Sequence, residues 1–515
     1  MAVQATYTLE IDWDGSGTFD GNGEDASSDW TSATIRRGFA HPLARYPFVG
    51  RASFLLKNAD KAYSPPAEAN VLPRREVRFQ MTYSGTTTTL FRGFIEEIRP
   101  DFGTKGRRQT LIECVDAIAL LDLYEGELAI QTDIYADDII NTIVNACYTP
   151  PSTSYQVGLN LYKTSADRWS WDEGVAGGAP ARPGGGPSEP IRASDKILDA
   201  CTADWGRFFV AGDGETTYFN RHQMALDDST ELTLSNTMVD MAYAKSVTDV
   251  YNFIEIICHP RTIGEVNEVL GRIRQGSAPS LQADDGGTLD TQTFTIWFRD
   301  PADQSKRIGG KSCLSLVAGT DLIVTEDPEG AGSDLSASVS ATETFYGDHA
   351  EIVLDNDNAG VVYIQKLQVR GLAVRSKEPV TVVAEDSTSQ TTYHKRKLRI
   401  NAPMMSEVVH AQTLADYLLD VYKDPQHVMQ NVTFIANTNA TLIAAARDLE
   451  LMDKVEITET QTGLSSDTGH IYSLTHVIQN KWHHRVIMNL ETAYDPGTPF
   501  RLDDSQLDSG HYLIY

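Results

Sequence analysis

Apolar and polar residues alternate along Tyr7-Thr8-Leu9-Glu10-Ile11-Asp12, Arg51-Ala52-Ser53-Phe54-Leu55-Leu56 and Arg78-Phe79-Gln80-Met81-Thr82-Tyr83. A period of two places one side-chain set on a single face, which predicts half-buried strands. Turn clusters at Asp14-Gly15-Ser16-Gly17, Lys57-Asn58-Ala59-Asp60, Tyr83-Ser84-Gly85 and Asp101-Phe102-Gly103 separate them, and short strands at this spacing suggest a barrel or sandwich. The period then changes. Ala136, Ile139, Ile140, Ile143, Val144 and Cys147 share one face of a predicted helix that Asp133 can cap and Pro150-Pro151 stops. A second helix is expected from Ser194 to about Trp205, with Ile197, Leu198, Cys201 and Trp205 inward and Gly206 ending it as a C′ residue. Arg207–Val210 and Thr216–Phe219 around Gly212-Asp213-Gly214 read as a hairpin.

From Asp249 to about Arg261 a strand carries Phe253, Ile254, Ile256 and Ile257, apolar on both faces apart from Glu255, and is expected to be well buried. Short β-rich pieces at 293–297, 322–324, 351–354 and 361–364 resemble a sandwich inserted between residues 263 and 375. Beyond it come the strand Val380–Val383 and a helix with Ala411, Leu414, Ala415, Leu418, Leu419 and Tyr422 on one face, closed by Asp424-Pro425. Strands return over 427–495, with a shorter helix around Ala444. The Gly/Pro-rich stretch 172–190 is expected to be an exposed loop. The fold class is therefore mainly β with a small α/β module.

Composition narrows the function classes. At 515 residues the chain is too long for one core. A formal charge of −28 excludes an outer surface built to neutralise phosphates, while leaving open a like-charged channel through which DNA slides. Cys114, Cys147, Cys201, Cys258 and Cys313 form no CxxC pair and read as buried thiols. Residues 1–15 carry no basic and apolar leader pattern, and no run of about 18 apolar residues exists to form a membrane-spanning helix.

Catalytic signatures fail on particular residues. Gly310-Lys311-Ser312 would need glycine at Ser305 to be a phosphate loop, and Gly212-Asp213-Gly214 would need glycine at Thr217 to be a dinucleotide fingerprint. Asp101-Phe102-Gly103 has no HRD partner. Asp467-Thr468-Gly469 reads as a turn between two strands, and His483-His484 as surface or hydrogen-bonded imidazoles on opposite faces. No enzyme is expected. One chemical motif remains: Asp12, Asp14, Ser16, Thr18 and Asp20 occupy positions 1, 3, 5, 7 and 9 of a calcium-type loop, with Gly17 at position 6. Position 12 is Gly23, and Glu24 falls one residue late. The competing reading is a solvated Asp/Gly hairpin turn.

An ordered series of motifs resembles the tail hub (baseplate hub or tail-tip) proteins of tailed bacteriophages. It runs through Phe54-Leu55-Leu56-Lys57-Asn58-Ala59-Asp60 with Tyr63-Ser64-Pro65, then Phe91-Arg92-Gly93-Phe94-Ile95-Glu96-Glu97-Ile98 and Leu111–Asp116. It continues in Trp205-Gly206-Arg207-Phe208-Phe209 with Gly214 and Arg221, in Asp249-Val250-Tyr251-Asn252, and in Thr413–Leu419 with Pro425. The series covers about 1–262 and 376–495. The resemblance implies two tube-like β-barrel domains, 1–124 and the discontinuous pair 246–262 plus 376–495. Between and beyond them stand an α/β module at 125–245, an immunoglobulin-like sandwich at 263–375 and a C-terminal tail at 496–515. It also implies a homotrimer, tail tube or distal tail ring proteins above, and tip or fibre proteins below. The expected location is the virion tail tip, after synthesis in the bacterial host cytoplasm. DNA would pass through the lumen without sequence-specific binding. The alternative is a host-attachment adhesin that takes a cell-surface glycan through 263–375, using Trp297 and Tyr363; a cell-wall glycan hydrolase ranks third, and the short Asp-rich tail leaves it no domain.

Overall fold

The computed structural model describes residues 3–21, 23–103, 108–126, 135–156, 191–221, 229–273, 279–284 and 290–493. Asp133, the 172–190 loop and the 496–515 tail lie outside them. The fold is mainly β, in several sheets beside a small helical core. Six strands, β1 (Thr6–Ile11), β2 (Trp30–Gly38), β3 (Arg51–Lys57), β4 (Glu76–Tyr83), β5 (Thr86–Pro100) and β6 (Gln109–Val115), form a first unit in the order β1-β4-β5-β6-β3-β2. Their alternation turns Leu9, Ile11, Phe54, Phe79, Phe91 and Ile112 into one core. The free edge of β1 is covered by the segment Glu24–Ala26, through Ile11 N–H to the Glu24 carbonyl (2.9 Å) and Ala26 N–H to the Leu9 carbonyl (2.8 Å).

The second unit contains the strands Leu232–Ser235, Asp240–Lys245, His427–Ile435, Lys454–Glu459, Leu464–Gln479 and His483–Thr492. It is welded to the first. β2 pairs antiparallel with Leu464–Gln479 from Ser32↔Gln479 to Gly38↔Ser473, giving one 12-stranded sheet. Gly38 sits at φ +129° where the ladder ends, and a Cβ there would lie 2.4 Å from the Tyr472 carbonyl oxygen, so only glycine fits. The long Leu464–Gln479 strand runs through Asp467-Thr468-Gly469. The expected turn is therefore displaced, to the residues between Glu459 and Leu464, where Gly463 takes φ +78°.

The α/β core holds α1 (Ile118–Leu123), α2 (Ala136–Cys147), α3 (Ala193–Asp204), and the hairpin Arg207–Val210 with Thr216–Phe219. It also holds the three-stranded sheet Val380–Glu385, Phe253–Cys258 and Lys397–Ala402, and the helix Val408–Tyr422. Strand pairing here departs from the expected boundaries. Residues 253–258 and 380–422 pack with α2 and α3, not with the second β unit, whereas 232–245 join that unit. The Phe253–Cys258 strand is also buried on one face only: Ile254, Ile256 and Cys258 point at the helices. Its other face is shielded by charge, with Lys397 Nζ 2.5 Å from Glu255 and Lys395 Nζ 3.3 Å from the centre of the Phe253 ring. Lysine stems cover apolar surface in this way, so apolarity on both faces did not require a two-sided core.

Helix α3 ends differently from expectation. Trp205, at φ 57°, is the left-handed residue, and Leu198 is exposed. Gly206 is needed for space instead, since a Cβ there would meet the Tyr218 ring at 2.5–2.7 Å. Cys114, Cys201 and Cys258 are buried thiols, while Cys147 and Cys313 are half-buried. The stretch 263–375 forms its own core in two sheets, around Leu270, Phe298, Ile352, Leu354 and Val369. Its entry strand Arg261–Ile263 pairs with its exit residues Val374–Ser376, so both ends leave side by side.

Candidate functional site

The Asp12 loop joins β1 to the segment that covers the β1 edge. Asp12 is fixed at its base by an N–H bond to the Glu76 carbonyl (2.9 Å) and is only 3% exposed. Its Oδ1 accepts the N–H groups of Gly15 (2.7 Å) and Ser16 (3.0 Å), and its Oδ2 accepts that of Gly17 (2.9 Å). Gly15 and Gly17 adopt φ +76° and +81°, the left-handed conformation that lets successive amides turn toward one carboxylate. Asp14 Oδ1 accepts the Ser16 N–H (2.9 Å), and this amide and the Ser16 hydroxyl hold the Asp14 carboxyl below its ordinary range. At the far end Phe19 lies under the guanidinium of Arg78, 4.4 Å from the ring centre, with Arg92 at 5.9 Å. These cation–π contacts pin the loop to β4 and β5.

Of the five positions read from the motif, the fold gathers two and adds one that the spacing placed a residue late. Carboxylate oxygens of Asp12, Asp14 and Glu24 lie within 4.8 Å of one another. Glu24 is 2% exposed; its Oε2 accepts the Gly21 N–H (2.6 Å), and its Oε1 is buried with no hydrogen-bond partner. Ser16, Thr18 and Asp20 are engaged with each other: Thr18 Oγ1 donates to Asp20 Oδ1 (2.7 Å) and stands 3.0 Å from Ser16 Oγ. Arg75 packs against Gly15 so tightly that a Cβ there would meet its Nη1. Its positive charge acts on Asp14.

A second polar centre lies where the two β units meet the α/β core, around a cavity of about 670 Å³ lined by Arg45, Trp205, Arg207, Tyr417, Tyr422 and Glu491 among others. Arg207 is fully buried and makes a two-pronged pair with Glu491, with Nη2 to Oε2 at 2.6 Å, while Nη2 also reaches the Pro42 carbonyl. Arg45 donates to the Pro42 carbonyl (2.6 Å) and stands 4.4 Å over the Trp205 ring; burial pushes its guanidinium down to about 10. Close by, Arg37 forks onto Glu450 (2.6 and 3.0 Å), whose Oε2 also accepts the Gly212 N–H (2.8 Å). Three of these contacts cross between units: Arg207 to Glu491, Arg37 to Glu450, and Arg45 Nη1 to the Trp205 carbonyl (3.4 Å).

His483 and His484 do face opposite ways: His483 is exposed, and His484 is buried, facing Tyr7 Oη through Nδ1 and His476 through Nε2, each at 3.0 Å. In the sandwich, Trp297 is half-buried and already engaged, with the Arg307 guanidinium 4.1 Å over its ring and the His349 imidazole 4.6 Å away. Tyr363 belongs to the opposite sheet, so the fold does not assemble the two rings into one platform.

No family model matches this chain, and no curated protein matches it. Solved structures do. A tail protein from Neisseria meningitidis aligns over 95% of this chain and 96% of its own at 9% identity, with a TM-score of 0.48. The 43 kDa tail protein of prophage MuSo2 from Shewanella oneidensis aligns over 95% and 99% at 10% identity, with a TM-score of 0.46. An Escherichia coli component of the type VI secretion system aligns over 95% and 80% at 8% identity, with a TM-score of 0.39.

Proposed function

We propose that this chain is a structural subunit of a bacteriophage-type tail, and that within it the chain is the hub: a homotrimeric ring at the tail tip, between the hexameric tube and a threefold tip. The observation that carries the reading is the weld between the two β units. Seven consecutive residue pairs from Ser32↔Gln479 to Gly38↔Ser473 join them into a single sheet. A trimer of such chains presents six β units in one ring, matching sixfold symmetry on one side and threefold symmetry on the other. The motif series along 1–262 and 376–495 supports the same reading. The role is architectural: buried arginines tie units together, and the surplus of acids suits a lumen that passes DNA without holding it.

Light scattering on the purified chain tests the assembly. A mass of about 170 kDa, three copies of 56.7 kDa, is expected for the ring of the purified chain. Imaging of intact tails should show threefold density of this chain at the tip. Tails whose tip lacks it would overturn the proposal.

A further inference from the structure

We propose that Asp12, Asp14 and Glu24 form a calcium site that clasps the edge of the first β unit. Three oxygen-bearing acids converge within 4.8 Å, a spacing at which like charges repel and which a bound cation would relieve. The second observation is independent of the clustering. Glu24 is almost wholly buried, yet one of its carboxylate oxygens has no donor. A buried, unpartnered carboxylate oxygen carries a desolvation cost that a bound cation removes. The donors are all oxygens, with neither histidine nor cysteine in the cluster, which selects a hard cation; a loop with one flexible, exposed ligand suits calcium better than the rigid octahedron magnesium demands.

The site explains why the ligand arrives one residue late. Glu24 is placed by β1 itself, through the bond from Ile11 N–H to its carbonyl (2.9 Å), so the strand edge and not a helix sets its position. A cation bridging Asp12, at the end of β1, to Glu24, at the start of the covering segment, closes the loop between them. Arg75 offsets part of the negative charge, so affinity in the range of about 10⁻⁴–10⁻³ M is expected, as in extracellular calcium modules. The inference does not depend on the tail reading.

The test uses the full chain and terbium, a luminescent calcium substitute, excited through Trp13, the residue between the two loop aspartates. Sensitised emission displaced by calcium chloride is expected, together with a rise in the first unfolding transition of about 2–5 °C in calcium over EDTA. Glu24→Gln, which keeps the acceptor for Gly21, and Asp14→Asn, on the exposed side, should each weaken calcium at least tenfold. Asp20→Asn should leave it within twofold. Should Glu24→Gln fail to fold, Asp14→Asn alone decides. Absence of calcium-displaceable emission, or binding that survives Asp14→Asn and Glu24→Gln but not Asp20→Asn, overturns the site. Light scattering with and without calcium separates this outcome from the fate of the ring.

Discussion

Two junctions in this molecule are built in opposite ways. The weld between the β units combines a main-chain ladder with side-chain ties, Arg37 to Glu450 and the row Tyr7–His484–His476, and beside it Arg207 of the α/β core pairs with Glu491 of the second unit. The stalk of the inserted sandwich has three residue pairs, Arg261↔Ser376 to Ile263↔Val374, and Thr262 and Ile263 are exposed. Hydrophobic contact follows the same division. The two β units share one core, while the sandwich keeps its own. The lesson is that sequence distance is no guide to mechanical coupling. Residues about 440 positions apart are joined rigidly, whereas a contiguous block of more than a hundred hangs on a hairpin.

The largest effect should come from the ties around the weld. Arg207→Ala strands Glu491 beside a buried surface and is expected to cost about 3–5 kcal/mol, read by chemical denaturation of the full chain. Gly38→Ala forces a Cβ against the Tyr472 carbonyl in a left-handed conformation, and about 2–3 kcal/mol is expected; a loss under 0.5 kcal/mol would break the view that the weld needs this glycine.

The histidine row sharpens the comparison through pH. Burial, and after it each imidazole's histidine neighbour (His484 for His476, His483 for His484), push His484 down to about 3 and His476 well below its ordinary 6.5. The unfolded chain therefore binds protons that the fold refuses, so the row's contribution is complete above pH 6.5 and is lost progressively as pH falls toward 3. Asp116, pushed up by burial to about 8, and Asp204, to about 6, act in the opposite sense. The difference between the parent chain and a His476→Gln, His484→Gln variant cancels them, and should shrink by about 2 kcal/mol between pH 6.5 and 5.5. A flat difference would show that the row is not neutral in the fold. The smallest effect is expected at the stalk. Replacing 264–373 with a short glycine turn should leave unfolding of the remainder within about 1 kcal/mol of the parent, and a larger loss would mean that the sandwich braces the rest of the chain.

Local pattern carried much of this architecture. Alternation located β1, β3 and β4, helical spacing located α2, α3 and the helix Val408–Tyr422, and Gly212-Asp213-Gly214 marked its hairpin. These are decisions made within a few residues, where the period of side-chain direction suffices. The Asp12 loop was half legible. Its turn and two of the three converging acids follow from the order of Asp and Gly, but Glu24 falls one position off the pattern because the loop template assumes a helix after it. Nothing local marked Arg37, Arg45 and Arg207 as buried, because arginine reads as surface unless its partner is known.

The sequence by itself determined the strands β1, β3 and β4, the helices α2, α3 and Val408–Tyr422, and the acid- and glycine-rich turn that follows the first strand. Tertiary structure alone decided the partners. It assigned Leu232–Ser235 and Asp240–Lys245 to the second β unit and Phe253–Cys258 to the α/β core, and it joined β2 to Leu464–Gln479. The physical reason is that a strand's faces are written in its own alternation, whereas its edges offer the same N–H and C=O groups whatever the sequence. Which edge meets which is settled by the burial of whole units against one another, and that is a property of the folded chain.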